Sequence, residues 1–272
     1  MPAWICETCG VQHADSPEPP TECAICEDER QYRGPRGQRW TTLDELRTGH
    51  RSDVRRLEPR LLGVGCEPDF AIGQRALLVT TNDGNVLWDC VPMLEDAADE
   101  VRTAGGLQAI AVSHPHFHST MIEWSRAFDA PVYLHAADRE WLMRPDEAVV
   151  FWEGDAHALV PDVTVVRCGG HFQGASVLHW AAGAEGRGAL FCADTIMVAP
   201  DRGWLSFMYS YPNLIPLDAA AVQAIADRLE LYAFDRIYGG WWDRVLESGG
   251  KDAVRRSVAR YLRAIGANPR SR

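Results

Sequence analysis

Ser113-His114-Pro115-His116-Phe117-His118-Ser119 is the stretch that says most about this chain. It directly follows residues 109–112 (AIAV), an apolar run that is typical of a buried strand. Imidazole is the commonest metal ligand in proteins, and three histidines at alternate positions of one loop are costly unless something binds them. The stretch therefore predicts a metal site at the end of a strand.

Two later segments have the same layout. Gly169-Gly170-His171 follows a strand candidate at residues 163–167, and Ala193-Asp194 follows another at residues 189–192. Because open α/β architectures collect their ligands at strand ends, we expect these side chains to serve one site. The candidate metal ligands are His114, His116, His171 and Asp194.

The order His-x-His, Gly-x-His and strand-Asp resembles the metallo-β-lactamase superfamily. The resemblance covers residues 57 to about 265 and implies an α+β fold, the αββα sandwich of that superfamily, for a domain spanning residues 57–272. It also implies that His114, His116 and His171 form the first metal site. Asp194 matches the carboxylate that usually bridges the two metal ions of the superfamily.

The sequence departs from the superfamily pattern at the second metal site. The pattern is His-x-His-x-Asp-His, whereas this chain has HPHFHS, with His118 and Ser119 at the last two positions. The last histidine, expected after a C-terminal strand, is replaced in Tyr238-Gly239-Gly240-Trp241-Trp242. The resemblance thus implies a single metal ion in this domain, with zinc expected and iron as the alternative.

His118 and Asp194 are the catalytic candidates. His118 is a substitute ligand, a general base near the metal-bound water, or a structural histidine, and its spacing alone leaves all three open. Asp194 would complete the ligand set or orient the water. Three histidines that leave one position of zinc open lower the pKa of bound water to roughly 7, which gives a hydroxide nucleophile. The expected reaction is hydrolysis of an ester, lactone, thioester or amide.

An aromatic segment, residues 204–212 (WLSFMYSYP), follows Asp194 closely. Because small-molecule sites are mostly apolar clefts, this segment and the two tryptophans near the C-terminus predict a pocket for a small apolar or aromatic substrate. Packing of the same rings in a second small core is the alternative. The predicted substrate-binding residues are Trp204, Phe207, Tyr209, Tyr211, Trp241 and Trp242.

The N-terminal segment, residues 1–35, carries a second candidate metal site. Its two C-x-x-C pairs have the spacing that brings four thiolates to the corners of a tetrahedron. The segment has few aliphatic side chains, so a structural metal worth roughly 10 kcal/mol would have to stabilise it. It resembles a zinc-ribbon or rubredoxin-like module, and residues 36–56 are predicted to connect it to the larger domain. The expected ligands of a structural zinc ion are Cys6, Cys9, Cys23 and Cys26.

Local signals predict several elements. Residues 76–80 and 86–90 flank Asp83-Gly84 and indicate a β-hairpin. Thr42 and Glu45 have the spacing of a helix capping box. Other predicted elements are a helix at residues 121–128, a strand at 131–134, and amphipathic helices around residues 222–229 and 254–265. His135 and His179 lie within strand patterns and are predicted to be structural.

Composition excludes several classes of protein. The net charge of −11 would repel a phosphate backbone, so nucleic acid is not expected as a partner. No run approaches the ~20 apolar residues of a membrane helix, and the N-terminus lacks the features of a secretory signal. We therefore expect a cytoplasmic protein with a small-molecule substrate and no membrane partner, and a homo-oligomer is left open.

Two other functions compete with hydrolysis. His114, His171 and Asp194 match the ligand set of non-haem iron oxygenases, so a mononuclear iron oxidoreductase of the dioxygenase type is the main alternative. A non-catalytic metal-binding scaffold is the other alternative, and the altered second-site positions favour it. The retained three histidines and Asp194 disfavour a scaffold, because a decayed site has no reason to keep costly polar groups together.

Overall fold

The computed structural model describes residues 1–33 and 37–267, and the chain forms two compact units, Met1–Trp152 and Glu153–Arg272. Residues 34–36, where the predicted N-terminal module meets the predicted connector, and residues 268–272 lie outside the described residues. The domain boundaries that we placed at residues 35 and 56 stay a prediction.

The first unit contains a small sheet and a large sheet. Its helices and strands are β1 (Ala3–Cys6), β2 (Gln12–Asp15), α1 (Ala24–Glu27), β3 (Trp40–Thr41), α2 (Leu43–Gly49), β4 (Arg51–Glu58), β5 (Leu61–Glu67), β6 (Ala76–Val79), β7 (Val86–Trp88), α3 (Glu95–Thr103), β8 (Ala109–Ala111), α4 (Met121–Phe128), β9 (Val132–His135) and β10 (Val149–Trp152), with 3-10 turns at Pro115–Phe117 and Ala136–Trp141. The small sheet has the antiparallel order β2-β1-β3.

The large sheet of the first unit has seven strands in the order β10-β9-β8-β7-β6-β5-β4. Strands β4 to β7 pair antiparallel, and strands β7 to β10 pair parallel. The predicted hairpin of β6 and β7 is confirmed. Strand β4 was not predicted, because its sequence RSDVRRLE is charged and partly exposed and lacks an apolar pattern. It forms one edge of the sheet, where charged side chains protect an unpaired backbone.

Helix ends in the first unit follow their local sequence. Helix α2 begins with the predicted capping box, in which Thr42 accepts from the Glu45 amide and the Glu45 carboxylate accepts from the Thr42 amide. Helix α4 has the predicted bounds and ends at Asp129, which adopts a left-handed backbone conformation. Local backbone and capping features therefore fix the start of α2 and the end of α4.

The second unit is built around one six-stranded sheet. Its elements are β11 (Ala156–Val160), β12 (Val163–Arg167), β13 (Ser176–Trp180), α5 (Gly183–Gly186), β14 (Ala189–Phe191), β15 (Met197–Val198), β16 (Leu205–Ser206), β17 (Met208–Ser210), β18 (Ile215–Pro216), α6 (Ala219–Leu229), β19 (Arg236–Tyr238), β20 (Val245–Leu246) and α7 (Gly250–Ala264). The sheet order is β11-β12-β13-β14-β19-β20, with only the β14 and β19 pair parallel.

The core of the second unit lies between its sheet and its two long helices. The apolar stripes predicted for α6 and α7 are buried there, together with side chains of β12, β13 and β14, except that Ile265 lies just past the end of α7 and is exposed. Burying such stripes is what stabilises amphipathic helices of this length. Among the described residues, no helix is both long and apolar enough to cross a membrane.

Candidate metal centres

The two C-x-x-C pairs come together in the first unit. The four sulfur atoms all lie within 4.8 Å of one another. The Sγ atoms of Cys6 and Cys26 are 3.6 Å apart, and those of Cys9 and Cys23 are 3.7 Å apart. Cys6 ends β1, Cys23 caps α1, and Cys26 lies within α1, so short elements fix the cluster. The four-cysteine cluster predicted from the spacing is confirmed.

The surroundings of the cluster suit thiolates. The amide Nε2 of Gln38 donates to Cys6 Sγ at 3.1 Å. Hydrogen bonding from Cys26, and then from Cys6, lowers the pKa of Cys23, whereas burial raises the pKa of Cys9, and a bound cation would favour the thiolate form of all four. Four buried sulfur ligands in this arrangement fit zinc or iron and exclude the hard cations that prefer oxygen.

The histidine loop follows β8 and contains a 3-10 turn at Pro115–Phe117. His114 and His116 are 2% exposed each, and their ring centroids lie 5.1 Å apart. Ser113 Oγ lies 2.9 Å from His114 Nδ1, a hydrogen bond that fixes the orientation of the ring. A partner on one ring nitrogen leaves the other nitrogen to a metal, as in many metal sites. The loop thus presents two buried imidazoles side by side.

Asp89 also holds the histidine loop and was missed by the sequence analysis. It is 1% exposed, has a left-handed backbone (φ 61°), and its Oδ1 accepts from the Ser113 amide at 2.8 Å. Its own amide donates to the Ala111 carbonyl at 2.8 Å. Asp89 follows the apolar strand β7 directly, which is the same signal that identified Asp194, so the pattern could have revealed it.

Burial keeps His114 and His118 of the loop neutral. It lowers the pKa of His114 to about 3, and the positive charge of Arg30 adds to this effect. Burial likewise lowers the pKa of His118 to about 3, with a further contribution from His114. Neutral imidazole is the form that binds a metal ion.

His118 and Ser119, which replace the usual second-site residues, are both buried in the loop. His118 is 3% exposed and Ser119 is 2% exposed. Across residues 1–33 and 37–267, neither His118 Nδ1 nor Ser119 Oγ finds a hydrogen-bond partner. A buried polar atom without a partner is costly, so both atoms suit a bound water, ion or substrate. The three roles considered for His118 stay open.

The second unit supplies the other two predicted ligands. His171 Nε2 lies 3.8 Å from Asp194 Oδ2, and both side chains are buried. His171 Nδ1 lies 3.2 Å from the Met208 carbonyl, to which it donates in the tautomer that leaves Nε2 for a metal. Burial raises the pKa of Asp194 to about 6, an effect that the neighbouring His171 partly offsets. A nearby cation would favour the carboxylate form.

The predicted substrate-binding residues occupy different surroundings. Phe207 is fully buried in the core of the second unit, and Tyr209 packs partly against that core. Tyr211 lies beside His171, with ring centroids 6.0 Å apart, and its hydroxyl donates to the Ser206 carbonyl. Trp204 packs under Arg260, whose guanidinium carbon is 3.7 Å from the ring centroid. Trp241 and Trp242 are half-buried in the turn after β19.

The histidines predicted to be structural have backbone partners. His135 Nδ1 accepts from the Ala137 amide at 3.1 Å and caps the 3-10 turn that follows β9. His179 Nε2 lies 2.8 Å from the Ala233 carbonyl. These two residues therefore differ from the histidines of the loop, whose surroundings suit a ligand.

Comparison with solved structures identifies the fold. The chain resembles VMB-1 (13% identity, TM-score 0.59, 79% of this chain and 98% of that chain). It also resembles the metallo-β-lactamases DIM-1 (15% identity, TM-score 0.56, 75% and 97%) and SMB-1 with mercaptoacetic acid (18% identity, TM-score 0.52, 75% and 92%). The chain thus has the metallo-β-lactamase fold, and the predicted α+β class is confirmed.

Sequence comparison identifies the family. No family model matches the chain. The chain is 47% identical over 270 residues to "Uncharacterized protein YmaE" of Bacillus subtilis (strain 168), and the match covers 98% of each sequence. At that identity and coverage, the chain belongs to the YmaE family.

Proposed function

We propose that this protein is a metal-dependent hydrolase whose metal ion is bound by His114, His116 and His171, with Asp194 completing the ligand set or orienting the water. The observation that carries the proposal is the presence of two buried ligand pairs at strand ends in a chain with the metallo-β-lactamase fold. Each of the four residues offers one nitrogen or carboxylate oxygen as a ligand.

The ligand chemistry supports a single zinc ion. Imidazole is a borderline ligand that suits zinc, and zinc also accepts a carboxylate oxygen, whereas magnesium and calcium prefer sites made of oxygen ligands alone. Ser113 and the Met208 carbonyl hold the outer nitrogens of His114 and His171, which sets the ring orientation. A zinc ion with an open position would activate water and polarise the carbonyl under attack.

The chain's own residues provide the remaining functions. Asp194, whose carboxylate form a bound cation would favour, can accept a hydrogen bond from the water. His118 Nδ1 and Ser119 Oγ are buried polar atoms that suit hydrogen bonds to water or to a substrate oxygen. These groups would orient the water and receive its proton.

We infer that the substrate is a small molecule with an ester, lactone, thioester or amide bond and an apolar or aromatic portion. Tyr211 beside His171 and the half-buried Trp241 and Trp242 support an aromatic wall. The structural neighbours named as β-lactamases make a cyclic amide a reasonable member of the first substrate screen.

Metal analysis of the full-length protein tests this function. Wild type should contain two zinc ions per chain, one of them in the four-cysteine cluster, by plasma mass spectrometry. His116→Ala should lose one zinc ion and reduce hydrolysis of the best ester, lactone, thioester or amide on the order of 100-fold or more. His135→Asn is the matched control, because His135 is a buried histidine of the same unit that serves a backbone amide.

The other outcomes are equally decisive. Iron in place of zinc in wild type, lost in His116→Ala, would favour the oxidoreductase and call for oxygen-consumption assays. Metal in the cysteine cluster alone would leave a scaffold. Equal metal content in His116→Ala and wild type would show that the histidine loop binds no metal.

A further inference from the structure

The N-terminal segment contacts the histidine loop directly. The Gln12 amide of β2 donates to the Ser119 carbonyl at 3.2 Å, and the Ala14 amide of the same strand donates to the Met143 carbonyl at 3.1 Å. Trp141 and Met143 pack against the cluster of cysteines. Strand β2 therefore joins the cysteine cluster to the loop that carries His114 and His116.

A buried arginine strengthens this junction. Arg144 is 5% exposed, and its guanidinium donates to Glu123 at 2.6 Å, to Asp15 at 3.1 Å and to the side-chain oxygen of Gln12. Gln12 Nε2 also donates to Glu123 at 3.3 Å. A buried charge requires paired and hydrogen-bonded partners. Strand β2 provides two of these three partners, Gln12 and Asp15. The network links β2 to α4, the helix that follows the histidine loop.

Ser119 is where this support acts. Its backbone is left-handed (φ 43°), a conformation that a residue with a side chain keeps only when its surroundings enforce it. On the other side of the turn, Thr120 Oγ1 accepts from the Met93 amide at 2.9 Å and donates to the Val91 carbonyl at 3.2 Å. The turn is thus held from one side by residues 91–93 and from the other by Gln12.

We propose that β2 of the N-terminal segment positions the histidine loop, with Gln12 as the positioning residue, so that metal binding by His114 and His116 depends on the N-terminal segment. The role rests on the proposed metal centre. Gln12 is 4% exposed, and its amide is the group of β2 that hydrogen-bonds to the Ser119 carbonyl. Without its side chain, Arg144 and Glu123 lose a shared partner, so the strand whose amide holds the Ser119 carbonyl is anchored less firmly to α4.

Gln12→Met tests the role because it keeps the volume and the backbone amide but removes both side-chain hydrogen bonds. Zinc is titrated into protein that retains the cysteine-bound metal, in competition with a chromophoric chelator. The zinc affinity of the second site should fall about tenfold, the usual size of an effect on residues that support ligands. Amide hydrogen exchange across residues 113–121 should accelerate, while the cysteine-bound metal stays in place.

Arg126→Met is the matched control. Arg126 lies on the same helix, α4, and pairs with Asp146 at 2.8 Å, but this ion pair does not involve β2. The control should bind zinc as wild type does. If Gln12→Met and Arg126→Met bind zinc with the same affinity and show the same amide exchange rates across residues 113–121, Gln12 has no positioning role. If wild type takes up only the cysteine-bound metal, the proposed metal centre itself fails.

A measurement on wild type needs no variant. Coupling between two sites is reciprocal, so zinc binding at the histidine loop should slow exchange of the Gln12 amide, which donates to Ser119. The same titration should leave the Ala98 amide, inside α3, unchanged. A Gln12 amide that exchanges at the same rate with and without the second zinc ion would overturn the proposal.

Discussion

The four-cysteine cluster and the histidine loop gather metal ligands in different ways. The cysteines all come from residues 6–26, where little else is available to form a core besides Val11 and Ile25. His114 and His116 instead follow β8, a fully buried inner strand of a seven-stranded sheet with an apolar core of its own. We therefore expect the fold around the first site to depend on its metal ion, and the fold around the second to form without one.

The two sites also differ in whether buried polar atoms remain beside the ligands to interact with water or a substrate. The cysteine cluster has four sulfur ligands, which fill a tetrahedron and leave no room for a substrate. The histidine loop carries further buried polar atoms, those of His118 and Ser119, for which the described residues offer no hydrogen-bond partner. The contrast is the one expected between a structural and a catalytic metal site.

Cys9→Ser should give the largest effect of the variants that test this comparison. Loss of one ligand removes much of a metal contribution of roughly 10 kcal/mol, which the small core of residues 1–33 cannot replace. The variant should lose the cysteine-bound metal and the slow amide exchange of β1 and β2. His116→Ala, by contrast, should lose its metal while β7, β8 and β9 stay protected.

Cys66→Ser is the control for the cysteine variant. Cys66 is a buried cysteine of the same unit that lies outside the four-cysteine cluster. The control should keep its full metal content. If Cys9→Ser retained slow exchange in β1 and β2, the first site would not depend on its metal ion, and the comparison would be broken.

The same contrast explains what the sequence could predict. The cysteine cluster was predictable because its ligands lie close along the chain in a fixed spacing. His114, His116, His171 and Asp194 were predictable as ligand types because each follows an apolar strand, although spacing gives no distances between strand ends. The site assignment itself stays a prediction, since it depends on ligands from two units.

Other features depend on tertiary contacts that no local pattern reports. Gln12 and Arg144 look like ordinary surface residues in the sequence, yet they meet in a buried network. Strand β4 is too charged to show an apolar period, and it forms only because β5 pairs with it. Trp204 stands in an aromatic run, but its packing against Arg260 could not be predicted from that run.

A pair of tryptophan variants tests whether the second site is open to a substrate, with an intermediate effect expected. Trp241→Ala should lower kcat/KM roughly tenfold, as expected for loss of an aromatic contact of about 1.4 kcal/mol, and should leave the melting temperature nearly unchanged. Trp204→Leu should instead lower the melting temperature and leave kcat/KM nearly unchanged, since it removes a cation–π contact with Arg260 worth about 0.5–1 kcal/mol. A large fall in stability with normal turnover in Trp241→Ala would contradict the open site.

His179 is expected to give the smallest effect on stability. Its contribution to the pH dependence of unfolding must be known before the two metal sites are compared at different pH. Burial lowers the pKa of His179 below its ordinary value of about 6.5, although the hydrogen bond to the Ala233 carbonyl partly offsets this. The unfolded chain therefore takes up a proton at a higher pH than the folded chain does, and the free energy of unfolding should fall as the pH drops below about 6.5. His179→Asn removes this contribution, so denaturant unfolding of the metal-loaded protein at pH 7, 6 and 5 should show a smaller loss of stability than in wild type. The difference between the two slopes of unfolding free energy against pH must stay below that of one proton, because only one titrating group is removed.

Since His179 contacts neither cluster of ligands, both metal ions should be retained at pH 7. A steeper loss in His179→Asn would mean that the folded protein prefers the charged imidazole, contrary to the effect of its burial.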